Sequence, residues 1–217
     1  MKNPIRVIAS VLLFTALLPI STFADDKANS GFLGDYSKLT QEKDSTGETV
    51  LRYVNPALKP GDYTSVILDP VQLYPTPKAT KQVSEQTLND IRNYVDNGLK
   101  EKIEGKMTVA TEPGPGVLVL RPAITTVASQ SAGLKPYELL PIGFLISSAT
   151  GRSKVAGITM EFDAVDSLTG ERVGASVRKG AGAKLENDDA QLTLDHLRPT
   201  LDKWIETGSS FLAEKLK

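Results

Sequence analysis

Two periods of apolar residues recur along this chain, and the order in which they follow one another defines the fold class. Residues 50–54 (VLRYV) and 63–69 (YTSVILD) are β-branched or aromatic runs, separated by Asn55-Pro56 and Lys59-Pro60-Gly61-Asp62. That composition predicts two strands with turns between them. Val71 to Tyr74 extends the second run past Pro70, and Pro70, Pro75 and Pro77 each lack a backbone donor, which places the stretch at a sheet edge or bulge. A helical period then takes over. Leu88, Ile91, Val95, Leu99 and Ile103 make one stripe, predicting a helix over 85–104. Ser84 caps it, Val83 and Leu88 form a hydrophobic staple, and Gly105 ends it.

The strand period returns at 106–111 and at 117–127, across the reversal Glu112-Pro113-Gly114-Pro115-Gly116. Pro122 should bulge the second of these or leave it at an edge. Residues 128–150 fit neither period. Two further strands, 153–165 and 171–178, flank the hairpin turn Asp166 to Gly170, and Gly180 to Asp189 is expected to be a flexible polar loop. Helical spacing closes the chain through Leu194, Leu197, Leu201, Trp204, Ile205, Leu212 and Leu216, with Pro199 kinking that helix or starting a second one.

The order β-β-α-β-β-β-β-α predicts a single α+β domain over residues 50–217. Two amphipathic helices would pack on a mainly antiparallel sheet of about five to six strands. Residues 25–49 precede it as a tether and docking segment. Within it Phe32, Leu33, Tyr36 and Leu39 suggest a short amphipathic turn, and 40–49 are polar with a turn at Asp44-Ser45-Thr46-Gly47.

Residues 1–24 break the pattern. Lys2 and Arg6 precede the apolar run Val7 to Ile20, and Thr22-Phe23-Ala24 ends it with a small residue. This reads as a secretory signal peptide cut between Ala24 and Asp25, with an uncut anchor as the alternative. The run spans 14 residues, short of the roughly 20 that cross a bilayer as a helix. Cleavage takes the 217 residues to 193, enough for one core. Losing Lys2 and Arg6 leaves 23 basic residues against 26 acidic ones, a net charge of −3. Mixed charge of that size gives no electrostatic case for nucleic acid. The mature chain contains no apolar run of membrane-spanning length. There is no cysteine for a disulfide or a lipid.

Candidate chemistry is sparse. His196 is the sole histidine, with Asp195 beside it, but Gly174-Ala175-Ser176-Val177-Arg178 is not the nucleophile elbow GxSxG, so His196 reads as a helix-end residue. One histidine and no cysteine cannot fill a tetrahedral metal shell. Glu161, Asp163, Asp166 and Glu171 share one hairpin, where Glu161 and Asp163 point to the same face. They read most simply as solvated carboxylates around a turn. Gly114-Pro115-Gly116 and Gly180-Ala181-Gly182 match no phosphate loop, so no cofactor is expected. Arg152, Lys154, Arg178, Lys179 and Lys184 could cluster at one end of the last hairpin as an anion site or a charged solvent face. Leu139, Leu140, Ile142, Phe144, Leu145 and Ile146 form an uncharged stretch that is either core or a contact for a partner or lipid.

Four stretches carry a family resemblance: Ser30 to Leu39, Asp62 to Tyr74, Pro113 to Thr125 and Glu161 to Glu171. Together they resemble a bacterial family of unknown function, numbered 3313, made up largely of envelope lipoproteins. The resemblance implies a Gram-negative envelope setting and no assigned reaction. Many relatives are expected to carry lipid on a cysteine after the signal, and Ala24-Asp25 stands in that place here. A periplasmic location follows, with peripheral association at the outer membrane as the alternative. The leading expectation is a non-enzymatic binding or accessory component whose partner is an envelope protein, the cell wall or a lipid. The alternatives are a carrier in which 139–146 lines an apolar cavity, and a hydrolase built on Glu161 and Asp163.

Overall fold

Helix α1 (Glu85–Glu104) forms where the stripe and its cap coincide, in a computed structural model that describes residues 29–131, 154–187 and 189–216. Ser84 is extended, and its hydroxyl accepts from the Thr87 N–H at 3.0 Å, satisfying one donor the helix leaves orphaned. All five stripe residues are buried. Gly105 donates its N–H to the Glu101 carbonyl and is right-handed, so the helix ends there without a left-handed residue. Helix α2 (Leu194–Leu216) runs on through Pro199, which therefore starts no second helix.

The strands are β1 (Thr40–Lys43), β2 (Thr49–Val54), β3 (Ser65–Leu68), β4 (Gln72–Leu73), β5 (Thr108–Val109), β6 (Val117–Ser131), β7 (Lys154–Asp166) and β8 (Arg172–Lys184). They form one mixed sheet in the order β1-β2-β8-β7-β6-β3-β5, with β4 also paired to β6. The α+β class stands, but the expected sheet of five to six mainly antiparallel strands is corrected to eight strands of both senses. β3 and β4 lie parallel to β6 because α1 supplies the crossover that a parallel pair requires. β1, β4 and β5 are short and mostly exposed, so no apolar alternation announces them.

β6 is central rather than an edge, and Pro122 is accommodated there by a gap in its neighbour. The β3 pairing ends at Leu120 and the β4 pairing starts at Ala123, with Pro70 in the break between them. The bulge comes later, between Ile124 and Thr126. β8 also runs further than expected. Gly180 to Lys184 is strand, not loop, because its glycines admit α2: a Cβ on Gly180 would sit 2.5 Å from Trp204 Cζ2, and one on Gly182 would sit 2.1 Å from the His196 carbonyl oxygen.

Strand alternation divides the sheet into two faces. Leu118, Leu120, Ile124, Ile158 and Met160 face both helices and form the main core with their stripes. The helices run side by side in the same direction, since Tyr94 meets Asp202, Gly98 meets Ile205, and Lys106 meets Glu206 further along. On the outer face, Leu51, Ala175 and Val177 are covered by Phe32, Leu33, Tyr36 and Leu39, which pack through turns rather than a helix. Among the described residues no helix is long and apolar enough to cross a membrane.

Candidate functional site

The hairpin carboxylates lie where their strand positions put them, but Glu161 and Asp163 are not solvated. Glu161 is 2% exposed on the outer face and accepts the Tyr36 hydroxyl at 2.7 Å. Burial chiefly raises the Tyr36 phenol to about 12; Ser30 opposes this and Glu161 adds to it. Asp163 is buried and bound by Arg172 Nε at 2.7 Å, and the same guanidinium reaches the Leu33 and Asp35 carbonyls at 2.6 and 3.0 Å. Asp166 serves the turn, accepting the Thr169 N–H at 2.8 Å and the Leu168 N–H at 3.0 Å, and the Thr169 bond leads in holding its carboxyl below the usual range. The outer-face carboxylates therefore stitch residues 30–36 to the sheet.

His196 caps α2. Its Nδ1 accepts the Thr193 N–H at 3.1 Å and lies 2.8 Å from the Thr193 hydroxyl, one half of a capping box with histidine in the place usually taken by glutamate. Arg178 and Lys179 do not cluster, since adjacent strand residues face opposite ways. Arg178 enters the helix face and pairs with Asp44 Oδ2 at 2.7 Å, while Lys179 lies opposite Thr159 on the other face. No group of three His, Cys, Asp or Glu side chains that could hold a metal appears among the described residues. Ala24, Asp25, Arg152 and the stretch containing Leu139, Leu140, Ile142, Phe144, Leu145 and Ile146 lie outside the described residues.

A feature that sequence reasoning missed lies beneath the C-terminal halves of the helices. A half-enclosed crevice of about 90 Å³ opens between the sheet (Leu118, Phe162), α1 (Leu99, Ile103) and α2 (Phe211, Leu212). Gly208 of α2 also lines it, and a Cβ there would meet nothing within 4 Å. Arg52 and Arg178 form its polar border. Arg52 lies over Phe211, its guanidinium carbon 3.6 Å from the ring centroid, and pairs with Glu42. The signal was available in VLRYV: Val50, Arg52 and Val54 share one face of β2, so an arginine occupies an inward position of an apolar alternation. The crevice adjoins the Leu118 end of β6.

The fold and sites define an α+β protein with a stitched outer face and an arginine-bordered apolar crevice under its helices. The chain belongs to the family described as "Protein of unknown function (DUF3313)", which it matches over residues 28–207. It is 32% identical over 190 residues, covering 86% of both chains, to "Uncharacterized lipoprotein YdcL" of Escherichia coli (strain K12). Solved structures to which the chain shows similarity include protein XCC0632 of Xanthomonas campestris, at 12% identity and a TM-score of 0.45 over 75% of this chain and 90% of that one. A minor lipoprotein of Acinetobacter baumannii matches at 11% identity and a TM-score of 0.41, over 70% and 94%. At those scores neither likeness bears on what this chain does.

Proposed function

We propose that this protein is an envelope component that acts by holding an apolar group in the crevice beneath α2, as an accessory binding protein or carrier. The observation that carries this reading is the crevice itself, with walls of leucine, isoleucine and phenylalanine side chains and Gly208 among its lining residues. Ligand sites are concave, mostly apolar and fixed by a few polar groups. At about 90 Å³ it is smaller than the roughly 150 Å³ cavity that accepts a benzene ring. It therefore takes the end of a chain or a small side chain, not a whole lipid. The hydrolase alternative loses its proposed groups to structure, because Glu161 is committed to Tyr36 and Asp163 to Arg172.

The lipoprotein name of the relative supports the envelope setting. The sequence has no cysteine, so we place the chain in the periplasm after cleavage at Ala24-Asp25, with residues 25–49 as tether and docking segment. Peripheral association with the outer membrane through partners is the second location. Native mass spectrometry of the protein purified from the envelope fraction tests the binding role. Wild type should carry a small apolar adduct that Gly208→Phe, which adds a ring to a position lining the crevice, does not. A bare mass for wild type, or an adduct retained by the variant, removes the reading.

A further inference from the structure

The charged side chains lining the crevice are of one sign. Arg52, Arg178 and Lys215 line it, and among the described residues no acidic side chain does. Their partners Glu42 and Asp44 approach from the β1 side. Arg178 is 4% exposed, and its hydrogen bonding is incomplete: Nη1 donates to Asp44, while Nη2 is buried with no partner among the described residues. Leaving a buried guanidinium donor unmet is costly, and such orphans are rare in native interiors. Burial foremost pushes the Arg52 guanidinium down; Glu42 opposes this and the charge of Arg178 adds to it. Each guanidinium already has one carboxylate partner, and what the pair leaves over beside the apolar hollow is a spare donor, Arg178 Nη2.

We infer that the occupant is the charged end of a single-chain amphiphile, whose oxyanion, a carboxylate or phosphate monoester, pairs with Arg178 and Arg52 while the first carbons of its chain lie against the apolar walls and the rest leaves through the open side of the crevice. This rests on the reading of the crevice as a binding site. An uncharged chain would fill the hollow but leave the buried donor unmet, so charge sets the preference.

Titration calorimetry of the purified chain with decanoate, decyl phosphate and decanol tests the inference. Both anions should bind at least about tenfold tighter than decanol, the lower end of what a charge-assisted hydrogen bond contributes. Preference between the two anions distinguishes a fatty acid from a phosphorylated lipid as the source. Arg178→Lys keeps a cation for Asp44 and deletes the second nitrogen, and should bring both anions to within about threefold of decanol. Decanol binding as tightly as the anions overturns the anion assignment and leaves the crevice reading standing. So does a preference that survives in Arg178→Lys. No binding by any of the three probes removes the crevice reading and this inference with it. The wild-type comparison is decisive even where the variant fails to fold.

Discussion

Asp44 shows how far one side chain can be committed in this fold. It organises the β1–β2 turn, its Oδ1 accepting from the Thr46 N–H at 2.9 Å, the Thr46 hydroxyl at 2.7 Å and the Glu48 N–H at 3.0 Å, while Oδ2 meets Arg178. Burial would raise its carboxyl, but the Thr46, Glu48 and Arg178 bonds outweigh it and hold the group at about 2. An unfolded aspartate titrates near 3.9. The folded value is therefore depressed, so the stabilisation is complete above about pH 4 and drains as pH falls through 2. Asp44→Asn should cost about 3 kcal/mol or more at neutral pH, because it strands a buried guanidinium. Its stability should then fall less than that of wild type between pH 4 and pH 2, as read from urea midpoints across that range. Parallel pH profiles for the two proteins would count against it. The sequence shows a turn at Asp44-Ser45-Thr46-Gly47 but not the partner, which lies 134 residues away. Glycines mislead in a related way. Gly182 has the composition of a flexible loop, yet it is fixed because α2 presses on it. Gly182→Ala should cost about 1–3 kcal/mol through that clash, whereas Gly208→Ala, which points into open space, should stabilise α2 by about 0.5–1 kcal/mol. Thermal melts of the two variants moving in opposite directions would bear this out.

Elements were legible in proportion to how local their determinants are. α1 could be read to its ends because the stripe, the cap and the staple all lie within its own residues, and Ser84→Ala should cost about 1 kcal/mol as the Thr87 N–H loses its acceptor. Denaturation midpoints of the pair measure it, and an unchanged midpoint would mean that solvent meets the Thr87 N–H as well as Ser84 Oγ does. The strand runs at 117–127, 153–165 and 171–178 were visible through alternation, but their extensions and partners were not. Register between β6 and β7 depends on which residues meet across the sheet, from Leu118 with Asp166 to Ser131 with Lys154. β1 shows the limit most clearly. All four of its residues are exposed, so the strand exists because Thr40–Lys43 complete the edge of β2, and not through any hydrophobic period of their own. The crevice was illegible for the same reason. It needs β2, β8, α1 and α2 together, and its one local trace was Arg52 at an inward position.

At the scale of the molecule, the two faces of the sheet have separate occupations. The helix face holds the core and the crevice, and the outer face holds the N-terminal segment that connects the domain to whatever precedes it. The seam on that face is polar where it counts: Tyr36 reaches Glu161, 125 residues away, and Arg172 clasps the Leu33 and Asp35 carbonyls. A pull on the N-terminus therefore loads the outer face, with the eight-stranded sheet between it and the crevice. If the Tyr36 bond closes the seam, Tyr36→Phe should destabilise by about 1.5–3 kcal/mol, because it leaves a buried carboxylate short of a donor. Glu161→Gln should cost less in the Tyr36→Phe background than in wild type, since the carboxylate it replaces has by then lost the Tyr36 donor. Urea unfolding of the four proteins gives the coupling directly. Hydrogen exchange should show amides of residues 31–39 opening first in Tyr36→Phe, while those of α2 stay protected. A coupling near zero, or loss of protection in α2 at the same rate, would mean that the segment is held by the Arg172 clasp and by Leu33 packing on Ala175 and Val177, and that Glu161 is not what fastens residues 31–39 to the sheet.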